Sequence, residues 1–321
     1  MHSFEELSDL FAQRFGHRQF PEQPATLYDP GIYFLGLGGK RIRPVLCLMG
    51  NELFGPIEDD AWHLATALEL FHNFTLIHDD IMDKAPLRRG MATVHAKYGA
   101  PTAILTGDVM MVIGYDYVSR IQSPQIRRIL QLYNQTAIKV CEGQQLDMDF
   151  EARERVTMEE YLHMIELKTS VLLAASLQIG SILGGAGAGN QHTIYQFGKN
   201  LGLAFQVQDD YLDCYGDATK FGKQVGGDIV AGKKTFLLIK TLEVASETQL
   251  RKIRELGRAA DAERVAGMLQ LFHDCGVDTW AKELKQQYHE AACRNLEDIA
   301  VVSARKEPLR ALVEYLLQRE Y

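Results

Sequence analysis

The sequence predicts an all-α protein, and three features support that prediction. Proline is absent from residues 125–307, and because one proline inside a helix costs about 3 kcal/mol, this interval permits long helices in succession. Apolar residues recur three and four positions apart, as in Ile126, Ile129, Leu130 and Tyr133, which is typical of a helix face packed on a core. Sustained alternation of apolar and polar residues, which would indicate strands, is not found along the sequence.

Individual helices can be predicted from the same spacing. Leu64, Leu68 and Phe71 predict a helix over residues 62–81. Thr157 and Glu160 have the spacing of a capping box, so a helix should begin directly after Thr157. Residues 169–198 contain no Asp, Glu, Lys or Arg, and we expect a buried helix there, followed by a glycine-rich turn at 184–189. Polar residues and glycine interrupt this run before it reaches about 20 apolar residues, so no membrane span is expected.

Composition excludes several classes of protein. The chain has 321 residues, of which 46% are hydrophobic and 24% charged, as in ordinary globular proteins. With no linker or break in composition, we expect a single all-helical domain over 1–321. A net charge of −8 argues against general binding of nucleic acid. Five scattered cysteines without a C-x-x-C pair, and an acidic N-terminus unlike a signal peptide, indicate a reducing, cytoplasmic location.

Two aspartate-rich motifs of the form D-D-x-x-D carry the main functional signal. Asp79 and Asp83 belong to the first motif, and Asp209 and Asp213 belong to the second. Residues four apart share a helix face, and two carboxylates about 6 Å apart repel by about 3 kcal/mol at an effective dielectric constant near 20. A single such motif is usually a solvated face. Two copies in apolar surroundings favour a hard cation with oxygen ligands, and Mg²⁺ with a diphosphate is the leading hypothesis.

Basic, glycine-flanked segments accompany both motifs. Gly38 to Pro44 contains Lys40, Arg41 and Arg43 behind two glycines, and Pro44 suits the first position of a helix. Residues 86–90 follow the first motif, whereas 221–223 and 232–235 follow the second. Lys168 and Thr169 stand at the border of the uncharged run. Each segment alone could be a solvated loop, but the repeated pairing of acidic and basic segments predicts metal-bridged recognition of two anionic groups.

These residues together make the sequence resemble the trans-isoprenyl diphosphate synthases, or polyprenyl synthetases. The resemblance runs from the loop at Gly38 through both aspartate-rich motifs to residues 315–319. It implies an all-helical bundle around a central cavity, a homodimer, and Mg²⁺ ions that join the two motifs to an allylic diphosphate. The implied metal ligands are Asp79, Asp83, Asp209 and Asp213.

The resemblance also assigns roles to other side chains. The allylic diphosphate would be held by Arg88, Lys168, Lys223 and Lys233. Isopentenyl diphosphate would be held by Lys40, Arg43, His72 and Arg89. Thr169 and Gln206, with Lys168 beside them, would line the reacting carbons, and Gln144 and Asp147 would lie near the metals. Asp80 and Asp210 point away from their motif faces and would orient neighbours or bind water.

The implied activity is transfer of an allylic group to isopentenyl diphosphate. In the family, one aromatic residue at the farther of two positions before the first motif accompanies twenty-carbon products, and Phe74 followed by Thr75 fits that pattern. Phe71 lies a further turn away. We therefore expect geranylgeranyl diphosphate as the product, with farnesyl diphosphate as the nearest alternative.

Three rival functions remain at the level of sequence. A long-chain polyprenyl synthase would need a deeper channel than Phe71 and Phe74 permit. A terpene cyclase or head-to-head synthase would share the fold but generally lacks the loop at 38–44 and the Arg88-Arg89-Gly90 segment. A non-catalytic regulatory subunit usually loses one aspartate motif, whereas both are complete here.

Overall fold

The computed structural model describes residues 1–16, 20–216 and 225–317, and these residues are almost entirely helical. The helices are α1 (Phe4–Phe15), α2 (Ala25–Gly36), α3 (Ile42–Glu52), α4 (Asp59–Met82), α5 (Val94–Tyr98), α6 (Ala100–Ser119), α7 (Ile126–Ala152), α8 (Met158–Ile165), α9 (Val171–Leu183), α10 (Ala188–Tyr215), α11 (Gly227–Ala231), α12 (Phe236–Val244), α13 (Glu247–Leu256), α14 (Asp261–Asp274), α15 (Val277–Asp298) and α16 (Ser303–Leu317). The prediction of an all-α fold is confirmed.

Local sequence signals explain several boundaries. The capping box at Thr157 is present, with the Thr157 hydroxyl accepting from the Glu160 N–H. The uncharged run forms α9 and the beginning of α10, and the turn between them comprises residues 184–187. The predicted turn at 184–189 was too long, because α10 already begins at Ala188. Pro44 lies at the third position of α3 and not at the first, because α3 begins at Ile42. Both positions belong to the first turn, where backbone N–H groups have no acceptor within the helix, so a proline there removes no helical hydrogen bond.

One small element departs from the all-α expectation. Strands β1 (Leu87–Arg88) and β2 (Met91–Ala92) pair antiparallel in a hairpin. The two turn residues, Arg89 with φ 53° and Gly90 with φ 77°, have the left-handed backbone that two-residue hairpin turns require. Strands of two residues carry no alternating pattern, so periodicity cannot reveal them.

The chain forms two compact units. The first comprises residues 1–135, 172–195 and 297–309. Within it, α4 packs against α3 and α6, and α3 lies against α9. Glycine makes that second contact possible, since a Cβ on Gly180 would lie 2.0 Å from the carbonyl oxygen of Cys47, and one on Gly50 would lie 2.4 Å from that of Leu177. The buried helix predicted from the uncharged run is therefore a core element of this unit.

The second unit comprises residues 136–171, 196–296 and 310–321, described up to 317. Its core is formed by Tyr161, Val207, Phe236 and Phe272, which are almost completely buried. A five-residue π-helical turn, Glu166–Ser170, connects α8 to α9. The single domain predicted from composition stays a prediction.

One described segment, Met158–Leu183, has the length and hydropathy of a membrane-crossing helix. In its most apolar window, 78% of the residues are buried inside the protein.

Candidate active site

The first aspartate motif closes α4. Asp83 follows the last helical residue, and its N–H donates to the carbonyl oxygen of Asp79 at 2.8 Å, so the two residues stack one turn apart as predicted. Asp79 is half-buried and Asp83 is exposed. Asp80 points into the protein with 1% of its surface exposed and accepts from Arg88, whose Nε lies 2.8 Å from Oδ1 and 2.9 Å from Oδ2. Asp80 therefore orients an arginine, as its off-face position suggested.

Several predicted isopentenyl diphosphate ligands meet near the start of α3. Arg43 Nη1 donates to His72 Nε2 at 2.9 Å, and the Arg89 guanidinium donates to the carbonyl oxygen of Gly38. A Cβ on Gly39, which has φ 136°, would lie 2.8 Å from Arg89 Nη2, so a side chain at this position would strain the backbone and displace the guanidinium. Lys40 is exposed on the same loop.

Charge and burial fix the protonation state of His72. Burial first, and then the positive charge of Arg43, Arg89, Arg88 and Arg41, hold the pKa of His72 well below its ordinary value of 6.5. His72 is therefore neutral and accepts from Arg43. Burial also lowers the pKa of Arg43 to about 10, against the opposing charge of Glu69, which still leaves this arginine protonated and able to bind an anion.

Glu69 is a residue that sequence reasoning missed. Its carboxylate is only 3% exposed; it pairs with Arg41 and accepts from Asn73 Nδ2 at 2.7 Å. Arg41 also donates to the carbonyl oxygen of Leu35 at 2.7 Å, and its own backbone has a left-handed φ of 49°. These bonds hold the basic loop at the start of α3. The sequence did contain a signal for this role. Glu69 lies among the apolar residues of α4, and a buried charge requires a partner of opposite charge.

The second aspartate motif lies on α10. Asp209 and Asp213 are half-buried. The N–H of Asp228 donates to Asp213 Oδ2 at 3.0 Å, and the N–H of Gly226 donates to the carbonyl oxygen of Asp213 at 2.7 Å. The motif therefore fixes the start of α11. Lys223, predicted to contact the allylic diphosphate, lies outside the described residues.

A cavity of about 120 Å³ lies beside this motif. It brings together the predicted residues Lys168, Thr169, Gln206 and Lys233. Asp147 also lines the cavity, and its Oδ2 lies 2.5 Å from Lys168 Nζ; its position near the metals stays a prediction. The remaining lining residues are Phe150, Glu151, Tyr161, Met164, Ile165, Asp210, Asp228, Lys234 and Thr235. Asp228 and Tyr161 were missed, although Asp228 stands in a glycine-rich segment after the second motif. Lys234 belongs to the predicted basic segment 232–235 but had no assigned role.

Lys168 and Thr169 owe their position to the π-helical turn. Gly143 on α7 allows the close approach, because a Cβ there would lie 2.3 Å from the backbone nitrogen of Lys168. Gln144, the next residue, is 8% exposed. Single π-helical turns within helices occur often at functional sites, since the extra residue re-aims the side chains that follow.

A partly buried hydrogen-bond chain links one wall of the cavity to the core. Thr169 Oγ1 donates to Gln206 Oε1 at 3.1 Å, and Gln206 Nε2 donates to Asp210 Oδ1 at 2.7 Å. The Tyr161 hydroxyl donates to Asp210 Oδ2 at 2.6 Å. Burial, followed by the charge of Asp228, raises the pKa of Asp210 to about 7. Burial also raises the pKa of Tyr161 well above its ordinary value, so this phenol remains a donor.

The residues predicted to set product length belong to a row of aromatic rings. Phe74 packs edge-to-face with Phe71 at 5.1 Å and with His78 at 5.4 Å between ring centroids. Phe71 continues to Tyr133 at 5.6 Å, and Tyr133 to Tyr115 at 5.3 Å. Thr75 is half-buried beside this row, and its hydroxyl donates to the carbonyl oxygen of His72 at 2.8 Å.

The carboxylates suit a hard divalent cation. Both motifs offer oxygen donors from half-buried or exposed aspartates, and Mg²⁺ prefers oxygen ligands. Burial, and after it the charge of Asp228, raises the pKa of Asp210, so two acidic side chains of this cavity repel each other. A cation would relieve that repulsion.

A helical fold with paired acidic and basic segments defines a class of diphosphate-handling enzyme, and comparison with known proteins identifies the family. The polyprenyl synthetase family model matches residues 24–274. A short chain isoprenyl diphosphate synthase from Methanothermobacter thermautotrophicus is 39% identical over 93% of this chain and 92% of its own. A geranylgeranyl pyrophosphate synthase from Geoglobus acetivorans is 39% identical over 94% and 93%. The chain belongs to the polyprenyl synthetase family.

Solved structures agree with this result. A geranylgeranyl pyrophosphate synthase superposes with a TM-score of 0.94 at 40% identity, covering 100% of both chains. A polyprenyl synthase from Caulobacter crescentus, complexed with calcium and isoprenyl diphosphate, has a TM-score of 0.88 at 25% identity, over 99% of this chain and 98% of its own. The predictions of the helical-bundle fold and of a short-chain trans-prenyltransferase are confirmed. A geranylfarnesyl diphosphate synthase from Natronomonas pharaonis also matches, at 34% identity over 94% and 93%.

Proposed function

We propose that this prenyltransferase condenses an allylic diphosphate with isopentenyl diphosphate to give geranylgeranyl diphosphate, with farnesyl diphosphate as the alternative product. The observation that carries the proposal is the cavity in which Lys168, Thr169 and Gln206 meet Lys233 and Asp147. Cations there suit a departing diphosphate, and neutral oxygens suit the carbon that it leaves.

The reaction breaks one carbon–oxygen bond and forms one carbon–carbon bond. The diphosphate leaves the allylic carbon with the bonding electron pair, and the terminal double bond of isopentenyl diphosphate attacks that carbon. The released diphosphate then takes a proton from the adduct, which restores an allylic diphosphate five carbons longer. No protein nucleophile is needed.

Basic residues of the site bind the two diphosphates, and apolar residues protect the reactive carbon from water. Lys168, Lys233, Arg88 and Lys223 hold the allylic diphosphate, and the isopentenyl diphosphate is held by Lys40, Arg43, His72 and Arg89. Because His72 is neutral, it acts on that diphosphate through the oriented Arg43 guanidinium and not as a second cation. Apolar cavity residues such as Phe150 and Met164 exclude water from the reactive carbon.

Divalent metal is part of this proposal. Asp79, Asp83, Asp209 and Asp213 would hold Mg²⁺, and the N–H of Asp228 donates to Asp213 Oδ2. When bound, Mg²⁺ stabilises the negative charge that develops on the departing diphosphate. The calcium complex of the Caulobacter crescentus relative supports a divalent-metal requirement.

Product length follows from the side chains beside the first motif. Phe74 is held between two other rings, and an aromatic side chain fixed in this way blocks a growing apolar chain. Thr75 leaves room one position nearer the motif. This arrangement supports a twenty-carbon product over a longer one. The similarity to the geranylgeranyl pyrophosphate synthase from Geoglobus acetivorans supports the same product.

We also propose a homodimer in the cytoplasm. Three apolar side chains of α6 are strongly exposed, namely Ile104 at 46%, Leu105 at 58% and Val112 at 60%, and a second copy would cover them. Leu105→Asp should shift sedimentation toward the monomer, whereas Val302→Asp, at a residue 68% exposed outside α6, should not. A dimer unaffected by Leu105→Asp would remove α6 from the interface. Free cysteines such as Cys47 and Cys214 are in keeping with a reducing compartment.

The activity is tested by incubating the enzyme with Mg²⁺, isopentenyl diphosphate and a dimethylallyl, geranyl or farnesyl diphosphate primer, then separating the products by chromatography. We expect geranylgeranyl diphosphate from every primer. Farnesyl diphosphate as the end product would favour the alternative, and much longer chains would indicate a long-chain synthase. Cyclic or head-to-head products formed without isopentenyl diphosphate would contradict the proposal, as would absence of elongation.

A further inference from the structure

The hydrogen-bond chain behind Thr169 has a fixed direction. Asp210 accepts through two different oxygens, Oδ2 from the Tyr161 hydroxyl and Oδ1 from Gln206 Nε2. In the structure both neighbours donate and the two carboxylate oxygens accept. The Gln206 amide therefore turns its nitrogen toward Asp210 and its oxygen toward Thr169, whose hydroxyl donates to that oxygen at 3.1 Å.

This direction determines which atoms face the cavity. Thr169 and Gln206 both line it. One amide hydrogen of Gln206 is used by Asp210, and the hydroxyl hydrogen of Thr169 is used by Gln206. The Gln206 carbonyl oxygen and the Thr169 hydroxyl oxygen therefore keep lone pairs on this wall. Such a wall attracts positive charge, in contrast to the nearby Lys168 and Lys233, which attract the diphosphate.

We propose that Asp210 and Tyr161 are positioning residues that set the polarity of this wall, so that it stabilises the positive charge developing on the allylic carbon. The inference rests on the proposed function, in which Thr169 and Gln206 line the reacting carbons. Tyr161 fixes one oxygen of Asp210, and Asp210 fixes the amide of Gln206. Both residues also line the cavity, but the role proposed for them here is exerted through Gln206 and Thr169. This role also explains a buried carboxylate one position after the proposed metal ligand Asp209.

Two substitutions separate this role from packing. Asp210→Asn keeps the size of the side chain and still accepts from Tyr161, but it presents an NH₂ group to Gln206. Since two donors cannot bond each other, the Gln206 amide should turn, with its oxygen toward residue 210 and its nitrogen toward the cavity. Tyr161→Phe removes one donor to the Asp210 carboxylate and leaves the bond from Gln206 in place. Tyr215→Phe, on α10 and outside this cavity, is the matched control.

The test measures binding of two unreactive analogues by titration calorimetry in the presence of Mg²⁺. In one analogue a cationic ammonium nitrogen replaces the reacting carbon, and in the other an uncharged carbon stands there. Analogues of the transition state bind at least about 10²-fold more tightly than ground-state mimics, so we expect the native enzyme to favour the ammonium compound. Asp210→Asn should reduce that preference by about tenfold or more, Tyr161→Phe by less, and Tyr215→Phe not at all.

Kinetics supply a second readout. For Asp210→Asn we expect kcat to fall while KM for both diphosphates and the apparent Mg²⁺ affinity stay near native values. An unchanged analogue preference in Asp210→Asn would overturn the proposal. Equal loss of affinity for both analogues would overturn it too, because the network would then hold the metal or the diphosphate. If Tyr161→Phe fails to fold, Asp210→Asn decides alone. A native enzyme that elongates no primer refutes the proposed function instead.

Discussion

Arg88 is clamped by Asp80, the aspartate of the first motif that points away from the proposed metal ligands. Arg88 Nε lies 2.8 and 2.9 Å from the two carboxylate oxygens, and Nη2 lies 2.7 Å from Oδ1. Asp80 is 1% exposed, so this is a buried carboxylate with a partly exposed cation, and removing either partner leaves the other uncompensated. The middle aspartate of the motif therefore positions Arg88, which we propose as a ligand of the allylic diphosphate.

Asp80→Asn should weaken allylic diphosphate binding. An amide can accept one arginine hydrogen bond but cannot neutralise its charge, so the guanidinium becomes free to turn. We expect KM for the allylic diphosphate to rise about tenfold, or about 1.4 kcal/mol, with a smaller effect on KM for isopentenyl diphosphate. Steady-state kinetics with each substrate varied in turn provide the measurement. Asp116→Asn, at an exposed ion pair on α6, is the control, and equal rises in both KM values would contradict a selective role.

Asp79→Ala should abolish most turnover without harming the fold. The carboxylate lies at the C-terminal end of α4, where the helix dipole disfavours negative charge, and it is half-buried. Removing it should leave the melting temperature unchanged or raise it slightly, while kcat falls by orders of magnitude because a proposed metal ligand is lost. Circular dichroism and product assays on the same sample test both parts. Near-native turnover would refute the metal role of Asp79.

Phe74→Ala should lengthen the products. The ring is held between Phe71 and His78, and its removal opens space beside the first motif. We expect a shift from twenty-carbon toward longer products, measured by chromatography after exhaustive elongation. Phe272→Ala, at a core residue 1% exposed in the other unit, controls for stability: both substitutions should cost about 3–5 kcal/mol of unfolding free energy. If Phe272→Ala lengthens products equally, general loosening and not the ring explains the effect.

His72 should make folding stability depend on pH. Its pKa lies well below the ordinary 6.5 in the folded protein, so below that pH the unfolded chain binds a proton that the folded chain does not. The free energy of unfolding should therefore fall with decreasing pH, by up to about 1.4 kcal/mol per pH unit. Urea titrations between pH 5 and 7.5 measure this slope. His72→Gln should flatten it, whereas His163→Gln, at an exposed position on α8, should not; equal slopes in all three proteins would exclude His72.

The sequence could predict those features that depend on local spacing. The capping box at Thr157 and the stacking of Asp79 over Asp83 need only helix geometry, and both are present in the structure. Contacts between distant segments could not be predicted in this way. The ion pair of Glu69 with Arg41 joins residues 28 apart, and Asp228 reaches Asp213 only through the packing of α11. The π-helical turn is likewise invisible, because its residues fit an ordinary helical pattern.

Gly143→Ala should displace the π-helical turn that carries Lys168 and Thr169. The added Cβ would lie 2.3 Å from the backbone nitrogen of Lys168 and 2.8 Å from the carbonyl carbon of Leu167, and backbone atoms cannot move aside as a flexible side chain can. We expect a loss of about 1–3 kcal/mol in unfolding free energy from overpacking. Turnover should fall further than that loss explains, because Lys168 would shift relative to Asp147. Urea unfolding and kcat measured on one preparation test both effects. Gly189→Ala on α10, where a Cβ meets nothing within 4 Å, should stabilise the helix slightly. If Gly143→Ala behaves like Gly189→Ala, the close approach of α7 to the turn is not what positions Lys168.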